Sequence, residues 1–352
     1  MFAYVGCYTT PDRDGRGAGI RAFRVNETGD IWTEIQVIDG LENPSLFTLR
    51  RDHSVLYSVH GGRDLISAFS VDRISGRLTL MNQMPCQGTN PVDCALDPAE
   101  RTLVIGNYGS GTVAVMPLAP DGALLPVTQV LTLSGSPGPD PSHQSSSHPH
   151  AVIFDPTGQF VVVPDKGFDK TFFFRLNQGR IEPTAQGSIP SKSGAAPRHT
   201  TFHPSLPILY VNNELDSTVS VFQWNATNGH VTETQVISTI PDGHYGRNTT
   251  AEIAASPCGR HLYVSNRGQD SIVLFNVDPS SGTLSYVENT PTGGRRPRFF
   301  TLDMTAKRLY AANQDSDEIT GFHIDPMSGR LTPFGHVLHS GSPSAISFVP
   351  AS

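Results

Sequence analysis

The sequence predicts an all-β protein, a seven-bladed β-propeller whose ring is closed by pairing C-terminal and N-terminal strands in one blade. Three observations predict it. First, a phrase of turn, short apolar strand, Asp-Pro or Gly turn and second strand recurs about every fifty residues. Its leading proline stands at Pro44, Pro91, Pro149, Pro197, Pro297 and Pro343, with Thr250 in the fifth place, and a period of that length made of short strands marks a propeller. Second, no segment sustains a 3.6-residue apolar period, so almost no helix is expected. Third, 33 glycines and 28 prolines in 352 residues suit a fold with many turns. Residues 1–352 therefore read as a single propeller domain.

The elements follow in chain order. Residues 2–6 and 19–25 read as later strands of a blade that lacks a first strand. The full repeats come next. In the fifth, residues 251–255 form one strand, Pro257-Cys258-Gly259 a turn, and 261–265 and 271–275 two more strands, with a weaker fourth after Ser280-Ser281-Gly282. β-Branched and aromatic enrichment between Gly, Pro, Asp and Ser punctuation supports strands. Residues 342–350 read as an innermost strand without successors, which the N-terminal strands complete, so that no open end remains between first and last blades. Two stretches break the spacing. About ten extra residues lie between Pro91 and Pro149, including Ser134-Gly135-Ser136-Pro137-Gly138-Pro139, a composition expected to bury little and form an exposed loop. A smaller excess, residues 242–248, precedes the fifth repeat. Both lead into innermost strands and should overhang the same end of the ring.

Composition excludes several classes. A net charge of -7 argues against nonspecific nucleic-acid binding. No run of eighteen apolar residues is present, so no membrane partner is expected. The N-terminus lacks the basic and apolar regions of a signal peptide, and Cys7, Cys86, Cys94 and Cys258 show no metal spacing, so a reduced cytoplasmic protein is expected. Asp12-Arg13-Asp14-Gly15 begins like a calcium loop but lacks the acidic twelfth position. His143, His148 and His150 have no accompanying carboxylate cluster. Neither a metal nor a cofactor is expected.

Chemistry collects when residues are placed by their offset from the leading proline. One residue after it stand Ser45, Val92, His150, Arg198, Ala251, Arg298 and Ser344. Seventeen after it stand Gly61, Tyr108, Lys166, Glu214, Arg267 and Gln314. The first offset enters the innermost strand and the second leaves its antiparallel neighbour, so both fall at one end of every blade, near the axis. His150, Arg198, Arg267, Arg298, Lys166 and Glu214 then share one funnel mouth, with His148, His199 and Glu252 one position away. Any one of these arginines could be a rim salt bridge. As a set in a net-negative chain they suit a small anionic ligand, because guanidinium groups grip phosphate or carboxylate bidentately.

At these residues the chain resembles the seven-bladed β-propeller lactonase family, which includes the propeller type of 6-phosphogluconolactonase and fungal carboxymuconate-lactonizing enzymes. The resemblance is carried by His148-Pro149-His150, Pro197-Arg198-His199 with Asn213-Glu214-Leu215-Asp216-Ser217, Ala251-Glu252-Ile253 with Ser265-Asn266-Arg267, and Arg296-Pro297-Arg298 with Asn313-Gln314-Asp315-Ser316. It covers essentially the whole chain. Likeness to the carboxymuconate-lactonizing branch implies an axial active site in which a histidine, two arginines and a glutamate act, roles that by motif fall on His148 or His150, Arg198, Glu214 and Arg267.

The expectation is a lactone hydrolase acting on a small anionic or polyhydroxylated lactone, with 6-phosphogluconolactone the leading candidate. Glu214 or neutral His150 would take a proton from water, Arg198 and Arg267 would hold the oxyanion, and Arg298 and Lys166 would anchor a phosphate or carboxylate. His148, His199, Glu252 and Gln314 complete the expected substrate-binding set. A cycloisomerase closing an unsaturated dicarboxylate to a lactone, and a non-catalytic binding propeller, are the alternatives. A closed ring hides its own edges, so a monomer or weak homo-oligomer is expected.

Overall fold

The computed structural model describes residues 1–241, 243–244 and 246–352. Among them, seven four-stranded antiparallel sheets form the blades of a propeller, and the helical content is one short 3-10 turn, Pro11–Arg13. The blade that closes the ring orders Pro343–Val349, Phe2–Cys7, Ile20–Val25 and Trp32–Ile38 from the axis outward. The C-terminal strand thus pairs with the N-terminal one, from Phe2 opposite Val349 to Cys7 opposite Pro343. Five of the remaining six blades begin at the axis with Pro44–Leu49, Pro91–Leu96, Pro197–Phe202, Thr249–Ala255 and Pro297–Leu302.

The fourth blade departs from the repeat. Its innermost strand is only Ile153–Phe154, and Pro149 makes an isolated bridge to Asp165. Pro164 of the second strand accepts the His150 amide at 3.0 Å but, as a proline, has no N–H to return, so the ladder loses a bond there. The Val152 amide, turned away from that ladder, donates instead to the buried Asp93 carboxylate of the third blade at 2.8 Å.

Packing explains why the ring holds. Each junction between neighbouring blades contains its own apolar cluster, seven in all among the described residues. At five junctions a buried tyrosine on one blade's second strand donates its hydroxyl to a turn glycine carbonyl of the next: Tyr4 to Gly76, Tyr57 to Gly122, Tyr210 to Gly282, Tyr263 to Gly329 and Tyr310 to Gly29, at 2.8–3.0 Å. The phenol contributes apolar area to the junction while its hydroxyl stays satisfied. The junction of blades four and five lacks such a tyrosine and packs Trp224 against Phe160, Phe173 and Phe202.

The feature that positions the site is a repeated irregularity. In six blades the register between innermost and second strands slips at the residue after the leading position. Pro197 faces Asn213 and His199 faces Asn212, so Arg198 is extra. Ser45, Val92, Arg298 and Ser344 are extra in the same way, and the slip in the sixth blade spans Ala251 and Glu252. A bulge re-aims its side chain out of the sheet face. The residue leaving the second strand is pinned at the same end: the amides of Tyr108, Lys166, Glu214 and Gln314 donate to the carbonyls of Asn90, His148, Ala196 and Arg296 at 2.8–3.0 Å.

Candidate active site at the axial mouth

Bulge residues of several blades converge on the axis. Tyr8, Ser45, Val92, His150, Arg198, Arg298 and Ser344 line a narrow throat. Above it opens a chamber of about 190 Å³, walled by Tyr108, His150, Lys166, Glu214, Arg267 and Arg298, among others. Beyond the chamber lies an outer bay of about 420 Å³ that shares Glu214, Arg267, Arg296 and His143 with it.

Glu214 is the electrostatic centre. Its carboxylate meets Lys166 Nζ at 2.8 Å, Arg198 Nε at 3.0 Å and Arg267 Nη2 at 3.1 Å, with only 6 % of the residue exposed. Burial alone would raise its pKa, but Lys166, Arg267 and Arg198 together hold it well below the ordinary carboxylate value. Its two oxygens are unequal. Oε1 takes Lys166 and Arg267, whereas the approach of Arg198 Nε to Oε2 is a charge contact without hydrogen-bond alignment among the described residues. Burial pushes Lys166 and Arg267 down and Glu214 pulls them back. Arg198 is anchored further by donating Nη1 to the Ala251 carbonyl, and Arg267 by donating Nη2 to that of Thr250 at 2.7 Å.

A second chain of groups runs beside the first. His199 donates Nδ1–H to Glu252 Oε1 at 3.0 Å, and its Nε2 lies 3.2 Å from His150 Nδ1. With the His199 proton committed to Glu252, Nε2 accepts and His150 Nδ1 donates, which leaves the lone pair of His150 on Nε2. Burial first, then the nearby Arg198, His199, Lys166 and Arg298 charges, hold His150 well below the usual histidine value, and His199 is lowered by burial and Arg198. Both imidazoles are neutral at neutral pH.

The structure brings His150, Lys166, Glu214, Arg267 and Arg298 to one chamber, as the offsets predict. Five other expected residues stand apart from it, His199 among them, lining the throat. Arg198, 2 % exposed, sits in the throat below. Glu252 lies behind His199. His148 stacks on Tyr108 with ring centroids 4.3 Å apart and donates Nδ1–H to the Tyr108 carbonyl at 2.9 Å, so it supports the wall. Gln314 lines a side bay with Arg13, Arg296 and Arg298, separate from Glu214.

The insertions do overhang this mouth. The first is mostly exposed but is tied down by buried Gln144, whose Nε2 donates to the Lys166 carbonyl at 2.8 Å and to Asp169 Oδ1 at 2.7 Å. The two insertions meet where Arg247 Nη2 donates to His143 Nε2 at 3.4 Å. Gly268 makes this possible: its φ is +117°, and a Cβ there would overlap the Arg247 carbonyl. Asp242 and Tyr245 of the second insertion lie outside the described residues. Sequence reasoning gave His143, Arg247, Arg295 and Arg296 no place in the site: His143 and Arg247 lie in insertions without a fixed offset, and Arg295 and Arg296 precede the leading proline from which the offsets start. Tyr108 had the right offset, but an aromatic among charges gave no chemical signal. Among the described residues no group of three or more His, Cys, Asp or Glu could hold a metal ion.

Comparison with known proteins decides the family. The model of the lactonase family of seven-bladed β-propellers matches residues 2–348. The chain belongs to this lactonase family. Relatives of this lactonase-family chain include the 6-phosphogluconolactonase of Bacillus subtilis, 34 % identical over 305 residues that cover 86 % of this chain and 85 % of that one. Another is the 6-phosphogluconolactonase of Formosa agariphila, 30 % identical over 313 residues, with 85 % and 86 % covered. Among solved structures, a periplasmic gluconolactonase of Pseudomonas aeruginosa superposes with a TM-score of 0.91 at 31 % identity, covering 100 % of this chain and 99 % of that one. No helix of the described residues is long and apolar enough to cross a membrane.

Proposed function

We propose that the protein hydrolyses a sugar lactone in the axial chamber, with 6-phosphogluconolactone as the leading substrate and His150 as the general base. The observation that carries this reading is the Glu252–His199–His150 chain beside a cationic chamber. A hydrolase needs a neutral base near the reacting carbonyl and positive charge where the oxyanion develops. His150, neutral and oriented by His199, supplies the first. Glu214 is the weaker candidate, because three cations hold its pKa far below the range of an effective base. It is better suited to fixing Lys166, Arg198 and Arg267 in place.

In this scheme His150 Nε2 takes a proton from a water whose oxygen bonds to the lactone carbonyl carbon. The carbonyl oxygen becomes an oxyanion beside Arg298, Lys166 and Arg267. Collapse of the intermediate breaks the bond from that carbon to the ring oxygen, which receives the proton from His150 and leaves as a hydroxyl of the open-chain acid. Lys166 and Arg267 share their charge with Glu214. Arg298 has no carboxylate within ion-pair distance among the described residues and lies over the Tyr8 ring at 5.3 Å, so it has the largest uncommitted charge. Arg267 thus keeps its expected oxyanion role, Arg298 and Lys166 move from the expected anchoring of a phosphate or carboxylate to the oxyanion, and Arg198 positions Glu214 from below.

The names of the relatives from Bacillus subtilis and Formosa agariphila support the substrate class. No observation favours a lactone-forming cycloisomerase or a purely binding role over hydrolysis. Four thiols, three of them buried, suit a reducing cytoplasm, and closure within one blade suits a single-domain monomer or weak homo-oligomer. The test is acid release by the purified protein, followed with a pH indicator on 6-phosphogluconolactone, glucono-δ-lactone and a muconate-type acid. Turnover of a lactone supports the reading. Turnover of the muconate alone, or of nothing, ends it.

A further inference from the structure

The outer bay has no part in the chemistry above, yet it opens directly into the chamber and is larger than it, about 420 against 190 Å³. Its wall carries Arg247, Arg267, Arg295 and Arg296 against two rim carboxylates, Asp270 and Asp315, and the shared Glu214. Four guanidinium groups around one cavity are an unusual concentration in a chain of net charge -7, and like charges brought this close repel unless an anion sits among them.

Among the described residues, the acidic groups pair closely with Arg267 but not with Arg247, Arg295 and Arg296. Glu214 is already matched by Lys166, Arg198 and Arg267. Asp270 Oδ1 is occupied by the amides of Gly268 and Arg296, at 3.1 and 2.9 Å. Asp315 Oδ2 comes no closer to Arg296 Nη1 than 3.9 Å, with both side chains nearly half exposed. Arg295 Nη2 donates to the Asp315 backbone carbonyl at 3.3 Å and has no carboxylate partner among the described residues. Arg296 is held at φ +59°, in the left-handed region where a non-glycine residue needs support, and its amide bond to Asp270 provides that support. The pair Arg295-Arg296 is thereby fixed at the lip, directly before the proline that leads to Arg298.

We propose that this bay is a phosphate-monoester subsite, which grips a phosphate at the far end of a lactone whose ring lies in the inner chamber. The inference rests on the reading of the chamber as a lactone-hydrolysing site and adds which residues select the phosphorylated substrate. Planar guanidinium forks match phosphate oxygens bidentately. The placement also fits the division of charge: the committed cations surround Glu214 inside with the uncommitted Arg298, and Arg295 and Arg296 stand outside without a close carboxylate among the described residues, where a substituent remote from the reacting carbonyl would reach.

The test compares the wild type with Arg295→Ala, Arg247→Ala and the double variant, changes at two exposed positions. Two readouts are taken. One is the ratio of kcat/KM for 6-phosphogluconolactone to that for glucono-δ-lactone. The other is calorimetric binding of the open-chain acids 6-phosphogluconate and gluconate. A charge-assisted contact is worth about tenfold or more in affinity, so the double variant is expected to lower the kinetic ratio about a hundredfold. It is also expected to weaken 6-phosphogluconate binding far more than gluconate binding. An unchanged ratio with unchanged 6-phosphogluconate affinity overturns the subsite and leaves lactone hydrolysis standing. If the wild type turns over neither lactone, the hydrolase reading falls, and binding alone decides the bay: selective loss of 6-phosphogluconate affinity supports it, and equal affinity for the two acids in the wild type overturns it.

Discussion

Arg198 and Arg298 occupy the same position in two blades, one residue past the leading proline and extra in the strand register. Their surroundings differ. Arg198 is 2 % exposed, meets Glu214 at 3.0 Å and donates to the Ala251 carbonyl. Arg298 lies over the Tyr8 ring, lines the chamber and is only half-buried. The repeat therefore decides where a side chain is aimed, and the neighbouring blade decides whether its charge is spent. A buried ion pair fixes geometry at little net gain, whereas an uncommitted guanidinium lining the chamber can serve a developing oxyanion. The same contrast divides the whole mouth. Blades four to six contribute His150, Lys166, Arg198, Glu214, Glu252 and Arg267, while Ser45, Val92 and Ser344 face them across the throat.

The sharpest way to break this comparison is on the charged side. Replacing His150 by alanine is expected to reduce kcat by about a thousandfold, the usual scale for loss of a general base, while the protein remains folded by circular dichroism. Glu214→Gln should behave differently: with three cations left around a neutral amide, stability falls by about 3–5 kcal/mol, visible in denaturant unfolding. If Glu214→Gln keeps wild-type stability and His150→Ala keeps wild-type turnover, the two roles have been assigned the wrong way round.

The two arginines supply the next test. Arg198→Ala should mainly lower stability, by about 3 kcal/mol, because it strips a partner from a buried carboxylate. Arg298→Ala should leave thermal unfolding close to wild type and lower kcat by about a hundredfold, the scale of one oxyanion contact. Equal effects of both variants on stability would erase the distinction between spent and unspent charge.

A smaller effect is expected in the pH profile. His150 acts as a base only when neutral, and burial with the surrounding cations keeps it neutral well below the ordinary histidine value. Activity should therefore hold steady as the pH is lowered through 6.5 and fall only further down. A kcat/KM profile with its acid limb centred at 6.5 or above contradicts this assignment.

Most of the fold was legible because one signal repeats. The leading proline fixes the start of an innermost strand, and the strand lengths fix which residues share an end. The chamber residues followed from two offsets, although nothing in the sequence announced that the first offset is a bulge. Legibility failed where the repeat fails. The innermost strand of the fourth blade shrank to Ile153–Phe154 beside Pro164, which accepts from it but has no N–H to return. Arg247 and His143 meet only through the fold of two insertions. His148 and Glu252 stood one position from those offsets and Gln314 on one of them, but they point to the wall, the back and a side bay, distinctions that depend on side-chain packing and not on register.

Asp93 offers the gentlest probe. Buried at the axis and accepting the amides of Cys94 and Val152 at 2.8 Å, it links the third blade to the segment that carries His150. Burial is the main force that raises its pKa from 3.8 to about 8, with Glu252 adding and the two amides and Arg198 opposing. In the unfolded chain the carboxyl loses its proton near the ordinary value; in the folded protein it keeps it. Between those values the folded state binds more protons, so this group makes stability fall as the pH rises from about 4 toward 8. Asp93→Asn preserves an oxygen acceptor and cannot ionise, so its stability should lose that part of the slope, as measured by denaturant midpoints at several pH values. If the slopes of the variant and wild type coincide, the carboxyl is ionised in the fold, and its charge must then be counted among those facing Arg198.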